Sequence, residues 1–298
     1  MSVRLALAIP FYRGLAYLDE ALASVLAQKD PDWRLVVVDD SGEPGAVRAR
    51  VAALGDRRLT CLENPRNLGM VPTWNRALEE VAPEAELLTL LHADDRLLPD
   101  YVGSMRALAE GEPEAAALFC AAHTIGAEGE GRFSLQDDIK QFLVPRGGAV
   151  VRLAGEPGLA ALMRGNFVVC PTLAFRRGRL GSVRFDARWR QVQDLDLMAR
   201  LLLAGERLCG LRSAHYEYRR HEANATARQT ADFSRFEEEF ALFDEVAARA
   251  RTCGWSALER RARRKTILRL HLAWRALGAA AHLRLSEALA SARFAARR

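Results

Sequence analysis

Apolar residues fall in short unbroken runs over the first hundred positions, at Leu5 to Ile9, Leu35 to Val38, Leu59 to Leu62 and Leu87 to Leu91. Between them the spacing changes to that of a helix, with Leu18, Leu22, Val25 and Leu26 in one interval and Trp74, Leu78 and Val81 in another. An apolar run without polar alternation suits a strand buried on both faces, and helical spacing suits a helix laid across it. The alternation of the two predicts an α/β fold with a mostly parallel central sheet.

From about Arg106 to His221 the pattern is mixed. Ala115 to Cys120 and Thr172 to Phe175 read as strands, 126–148, rich in Gly and charge, reads as loop, and a helix is predicted from Gln193 to Leu203 with Leu195, Met198 and Leu202 on one side. Beyond Asn224 the chain reads as helical throughout. Phe233, Phe236, Phe240 and Phe243 recur at a spacing that predicts core packing, and Ile267, Leu270, Trp274 and Leu277 mark a last helix. These changes divide the chain into residues 1–225, with halves at 1–105 and 106–225, and a helical extension at 226–298.

Composition narrows the class. The chain has 298 residues, half of them hydrophobic, which is enough to bury a large core. Its formal charge is only +5, and 40 of its 43 basic residues are Arg, a bias that does not by itself point to nucleic acid. Five scattered cysteines, with no Cys-x-x-Cys pair, indicate neither a disulfide framework nor a zinc site. The first apolar run is too short for a signal peptide and no later run approaches the ~20 residues that span a bilayer, so a cytoplasmic protein is expected, at most peripheral to the inner face of a membrane. The charge is uneven. From Arg249 onward thirteen basic residues face Glu259 and Glu287, a net +11 that leaves the remainder near −6. Two readings of this tail stand: a basic surface docking on anionic lipid, with Ile267, Leu270 and Trp274 on one stripe, or helices packed on the rest of the protein.

Candidate chemistry begins where the fourth apolar run stops at Leu90-Leu91-His92-Ala93-Asp94-Asp95. Two acids at a strand end suit a divalent cation held against a phosphorylated ligand, since Mg²⁺ commonly takes one or two protein carboxylates and leaves its other positions to phosphate and water. The same residues could instead open the next helix, with Asp as cap and Pro99 in the first turn. Asp39-Asp40-Ser41-Gly42 follows the second run. In open sheets of this type ligands bind beyond the carboxyl ends of the strands, so the two acidic loops are expected on one rim, with Asp39 supporting its turn. A dinucleotide-binding dehydrogenase is disfavoured, because the first strand leads to Pro10-Phe11-Tyr12-Arg13-Gly14 rather than a Gly-x-Gly-x-x-Gly turn, and no Gly-Lys-Ser/Thr phosphate loop occurs. Asp194 lies at a helix start, where a carboxylate meets the positive end of the helix dipole, and Asp196 reads as a structural partner of Arg200.

The ordered series Asp39-Asp40, NPRNLGMVPTWN (64–75), Asp94-Asp95, Asp194 and Tyr218-Arg219-Arg220-His221 resembles the family 2 glycosyltransferases of the GT-A fold over about residues 3–225. LALAIPFYRGLAYLDEALASVLAQ is similar to the first strand and helix of that family, LVVVDDSGEPG to its base-binding loop, and LLHADDRLLPDY to its metal motif. WRQVQDLDLMARLLLAG is similar to the segment carrying its catalytic base, and YRRHEANAT to the lid that follows. The resemblance implies nucleotide contacts at Pro10, Tyr12, Asp40 (to the base) and Asp94 (near the ribose), a divalent cation (Mn²⁺ or Mg²⁺) on Asp95 and His221, and Asp194 as the catalytic base.

It also implies a nucleoside-diphosphate sugar donor (UDP, dTDP or GDP), a saccharide or lipid-linked acceptor, and transfer with inversion in the synthesis of a glycoconjugate. Two departures stand out. Gln193 replaces the Glu that often precedes the base, and the Gln-x-x-Arg-Trp signature of processive members is missing, which implies addition of a single sugar. The rival readings are a sugar-nucleotide nucleotidyltransferase, which needs a Gly-rich basic loop where Pro10 to Gly14 stand, and a catalytically degenerate membrane-associated binding protein.

Overall fold

The computed structural model describes residues 4–132, 142–221 and 233–296. The four apolar runs form parallel strands β1 (Leu5–Phe11), β2 (Trp33–Asp39), β3 (Leu59–Glu63) and β4 (Leu87–Leu90), which lie side by side in the order β3-β2-β1-β4. Helices α1 (Leu15–Leu26), α2 (Ala46–Ala53) and α3 (Met70–Glu80) connect them. Successive side chains on a strand point to opposite faces. Leu5, Leu7 and Ile9 accordingly pack with α1 and α2 on one face, while Ala6 and Ala8 pack with α3 on the other.

The rest of the sheet is mixed. Short β5 (Arg96–Leu97) and helix α4 (Tyr101–Gly111) follow β4. Next come β6 (Ala115–Ile125), β7 (Val150–Ala154), helix α5 (Gly155–Leu162), a 3₁₀ turn at Cys170–Thr172, β8 (Ala174–Arg176) and the short helix α6 (Arg177–Leu180). The predicted helix is present as α7 (Gln193–Leu203), and β9 (Arg207–Arg219) follows it. Strand β8 is antiparallel to both β4 and β6, and β6 runs parallel to β9. Strand β9 pairs antiparallel with β7 along its first half and with β5 near its end.

Two expectations are corrected here. The strand read from Thr172 begins only at Ala174, because Cys170–Thr172 form the 3₁₀ turn. The thirteen-residue β9 was not anticipated at all. Its sequence RLCGLRSAHYEYR mixes charge with apolar residues, and its register against β6 shifts near Cys120 to Ala122, so no clean period of two survives. The predicted acceptor loop shows a small bridge between Ile125 and Gly131; its residues 133–141 lie outside the described residues.

The extension forms α8 (Ser234–Thr252), α9 (Ser256–Arg264), α10 (Thr266–Ala281) and α11 (Leu285–Ala295). Phe236, Phe240 and Phe243 of α8 are buried in the same apolar cluster as Leu195, Met198 and Leu202 of α7. Phe233 stacks on Phe294 with ring centroids 5.8 Å apart. The packed reading of the tail therefore holds for α8 and α9. Ile267 of α10 also leans on this core, but Leu270, Trp274 and Leu277 are exposed. Among the described residues no helix is long and apolar enough to cross a membrane.

Candidate active site

Strand β2 delivers Asp39 and Asp40 to the rim. Asp39 Oδ1 accepts the Ser41 N–H at 2.9 Å and so supports its turn. Asp40 is the anchor of a loop. Its Oδ1 accepts Asn64 Nδ2 at 2.6 Å and the Leu68 N–H at 2.7 Å, and its Oδ2 accepts the Gly69 N–H at 3.0 Å. Asn67 Nδ2 donates to the Asp40 carbonyl at 2.8 Å. Gly69, at φ +88°, then turns the chain into α3, a conformation that a residue with a Cβ rarely adopts.

The resemblance gives Asp40 a contact with the nucleotide base. Its carboxylate is engaged within the protein, because three donors of the 64–69 loop converge on it. Asp39 instead borders a cleft of about 290 Å³ together with Gly42, Glu43, Glu63, Asn64 and Pro65. At the end of β1, Pro10 is partly exposed and Tyr12 is exposed, one residue past the Phe11 that pairs with Asp39.

The second acidic loop joins β4 to β5, so Asp94 and Asp95 do not open a helix; α4 begins only at Tyr101. Asp95 is fully buried. Its Oδ1 accepts the Arg219 N–H at 2.7 Å and its Oδ2 the Tyr216 hydroxyl at 2.8 Å. Burial, and then the neighbouring charge of Asp94, push its carboxyl well above the usual carboxylate range. Asp94 is partly exposed, and its Oδ2 lies 3.1 Å from His221 Nε2. The His221 ring stacks on Tyr17, centroids 5.4 Å apart and planes at 27°.

One buried guanidinium ties this corner together. Arg219 donates from Nε to the Asp94 carbonyl at 2.7 Å and from its terminal nitrogens to the Ala127 carbonyl and the Glu20 carboxylate, both at 2.5 Å. Its guanidinium also sits 4.6 Å from the Tyr17 ring centre. Loop, β6 end, α1 and β9 are thus fixed to one another.

Ligand atoms of His92, Asp94 and Asp95 lie within 4.8 Å of one another. The His92 ring stacks on Trp74, and burial lowers its pKa, which keeps it neutral and able to act as a lone-pair donor. Carboxylate oxygens with an adjacent imidazole suit a hard divalent cation such as Mn²⁺ or Mg²⁺. Asp94 is partly exposed within this group, and His221, 3.1 Å from it, adjoins the group from outside. Asp95, expected to coordinate, belongs to this group; it is fully buried, and both its oxygens accept protein donors.

Helix α7 carries another of the expected site residues. Asp194 sits in its first turn, and Asn166 Nδ2 donates to its Oδ2 at 3.2 Å. Gln193 is buried, with Nε2 donating to the Arg190 carbonyl at 3.1 Å. Asp196 is buried against Arg200 at 2.8 Å, as its spacing predicts. Burial, and then the charges of Asp194 and Asp95, push the Cys170 thiol well above its ordinary value. The loop entering α7 is gripped by α8. The Glu238 carboxylate accepts the N–H groups of Arg190, at 2.9 Å, and Gln191, at 2.8 Å.

Sequence reasoning missed Tyr17, Asn166, Cys170 and Glu238, none of which belongs to a pattern. Arg219 stood inside the YRRH string, which was its only signal. Beyond His221 the expected lid lies outside the described residues.

A mostly parallel sheet with acidic loops along its carboxyl rim and a carboxylate at a facing helix start defines a GT-A-like nucleotide-sugar fold. The chain belongs to glycosyl transferase family 2, whose model matches residues 6–177. It is similar in fold to Staphylococcus aureus TarS 1-349, with a TM-score of 0.60 and 16% identity over 83% of this chain and 65% of that one. The complex of TarS 1-349 with UDP-GlcNAc matches at 0.62 and 18% identity, covering 83% of this chain and 66% of that chain. GalNAc-T7 with UDP, GalNAc and Mn²⁺ matches at 0.53 and 11% identity, over 74% of this chain and 44% of that chain. In sequence, an uncharacterized protein, MT1568, from Mycobacterium tuberculosis (strain CDC 1551 / Oshkosh) is 35% identical over 97 residues, 32% of this chain and 29% of that protein. The chain therefore spans less than a third of this curated relative and about two thirds of TarS 1-349.

Proposed function

We propose that this chain transfers a single sugar from a nucleoside-diphosphate sugar to an acceptor hydroxyl, with inversion, on the cytoplasmic side of a cell that builds glycoconjugates. The observation that carries the reading is the pairing of Asp94, in the loop after β4 and beside the buried Asp95, with His221, 3.1 Å away; Asp194, in the first turn of α7, is the base in this reading. The base of the donor lies against Pro10, Tyr12 and the cleft beside Asp39, while Asp40 shapes the loop that floors it. UDP, in the TarS and GalNAc-T7 complexes named above, is the first donor nucleotide to test, ahead of dTDP and GDP. A saccharide or lipid-linked alcohol is the acceptor.

Asp94 and His221 would hold Mn²⁺ or Mg²⁺, and a bound cation supplies charge neutralisation for the departing diphosphate without proton transfer. Asp95 positions Asp94 by holding Tyr216 and Arg219. Asp194 takes the proton of the acceptor hydroxyl as its oxygen bonds to the anomeric carbon and the bond from that carbon to the diphosphate breaks. A carboxylate suits this task because the alcohol becomes acidic only in the transition state. Asn166 orients that carboxylate. The replacement of Glu by Gln193 removes one neighbouring negative charge from the base, which leaves it less repelled when ionised.

The experiment is differential scanning fluorimetry with UDP, dTDP and GDP, with and without Mn²⁺. A ligand at a hundred times its Kd stabilises the fold by about 2.7 kcal/mol. Metal-dependent stabilisation by one nucleoside diphosphate is expected, and no stabilisation by any of them at millimolar concentration overturns the reading.

A further inference from the structure

The C-terminal hairpin is built unlike the rest of the surface. Leu270, Trp274, Leu277, Leu283, Leu285 and Leu289 are all exposed, Trp274 at 72% and Leu283 at 84%. Only five other large apolar side chains are exposed among the described residues, and they are scattered from Tyr12 to Phe142. Leu270, Trp274 and Leu277 recur at the spacing of one face of α10, and the opposite face buries Leu268, Leu272 and Ala279. Leu283 sits between α10 and α11 at φ +57°, a left-handed conformation in which glycine or asparagine would be at ease. A leucine held there, turned out to solvent, serves nothing inside the fold.

We infer that this hairpin is a membrane-docking element, with Trp274 and Leu283 entering the headgroup region of an anionic bilayer. Charge supports a lipid occupant. The segment from Arg249 carries thirteen basic residues against two acids, and Arg260, Arg261, Arg263, Arg264 and Arg293 are exposed. The remainder of the chain is net negative and is pushed away from an anionic surface, so the field itself orients the molecule tail-down. An apolar stripe with an interfacial Trp, in a segment rich in exposed arginines, suits a helix that lies in the interface and does not cross it. The inference stands independently of sugar transfer. It alters the sequence expectation in one respect: Ile267 is packed inward, and the apolar element is the α10 face together with the turn after it.

The test is co-sedimentation of the full chain with phosphatidylcholine vesicles, with and without phosphatidylglycerol. Wild type is expected to bind the anionic vesicles and to release at high salt. The triple variant Leu270→Ser, Trp274→Ser, Leu277→Ser should lose about tenfold in affinity at an unchanged melting temperature. Leu283→Asn, which suits the left-handed turn, should fold at least as well as wild type and still bind more weakly. Binding of wild type and Leu283→Asn with equal affinity, or failure of wild type to bind, overturns the inference. So does a concentration-dependent doubling of mass that the triple variant abolishes, since the face would then belong to a second copy.

Discussion

His221 Nε2 and Asp94 Oδ2 lie 3.1 Å apart although 126 residues separate them in the chain. Neither residue reaches the other by its own backbone alone. Arg219, two residues before His221, donates to the carbonyl of Asp94, and Tyr17 supplies the ring on which the imidazole rests. The pair is therefore a product of three elements meeting, and its chemistry can be separated from its scaffolding by substitution.

Asp94→Asn removes an accessible donor and nothing buried. It should abolish the Mn²⁺-dependent part of nucleoside diphosphate binding, read by calorimetry, and leave the melting temperature near wild type. Asp95→Ala should do the reverse in kind. It strands the Tyr216 hydroxyl and the Arg219 N–H without acceptors, each worth ~1–3 kcal/mol when buried and unpaired, so a marked loss of thermal stability is expected. Equal melting temperatures for the two variants would show that Asp95 is not a support.

Asp194→Asn keeps the shape of the side chain and cannot accept a proton. General-base catalysis contributes ~10²–10⁴ in rate. The variant should lose transfer by that factor, retain donor binding and melt with wild type. Asp196→Asn, by contrast, weakens the contact with Arg200 and should lower stability while keeping most of the rate. Transfer by Asp194→Asn at more than about a tenth of the wild-type rate, with chemistry limiting, moves the base elsewhere.

Asp40→Ala releases the three donors from Asn64, Leu68 and Gly69 at once. Hydrogen exchange of the Leu68 and Gly69 amides should accelerate by an order of magnitude or more, since ~1–3 kcal/mol per buried unpaired group corresponds to that range. Asp39→Ala should leave those two amides protected and weaken nucleotide binding instead.

The histidine at position 271 gives the tail a pH response. Its ring packs edge-on against Phe236, and burial, followed by the charges of Arg235 and Arg275, holds its pKa below the ordinary value. The neutral ring is the one the fold accepts. Its contribution to stability is complete above the unfolded value of ~6.5 and is lost as pH falls below it through the folded value. Melting temperatures measured between neutral and mildly acidic pH should drop more for wild type than for His271→Gln. Parallel curves would remove His271 from the account.

The first half of the sheet was legible because its strands are short, largely apolar runs, and the helix Gln193–Leu203 because its spacing is regular. Strand β9 was not, since it serves three partners along its length and bends between them. The rim was legible in outline. Adjacent acids such as Asp39 and Asp40 look alike in a sequence, and only the folded structure reveals which carboxylate anchors the 64–69 loop. Arg219 and Glu238 are harder still, because what they do depends on carbonyls and amides whose positions no residue type encodes.

Glu238 belongs to a helix that sequence reading set apart from the enzyme, yet it grips the backbone just upstream of Asp194, and Arg188 of the same loop reaches Glu245 at 2.7 Å. The tail is therefore a splint on the helix start that carries Asp194. A shortened chain ending before α8 is not a smaller version of the same catalyst: it would bare the apolar side of α7 and free the approach to Asp194 together.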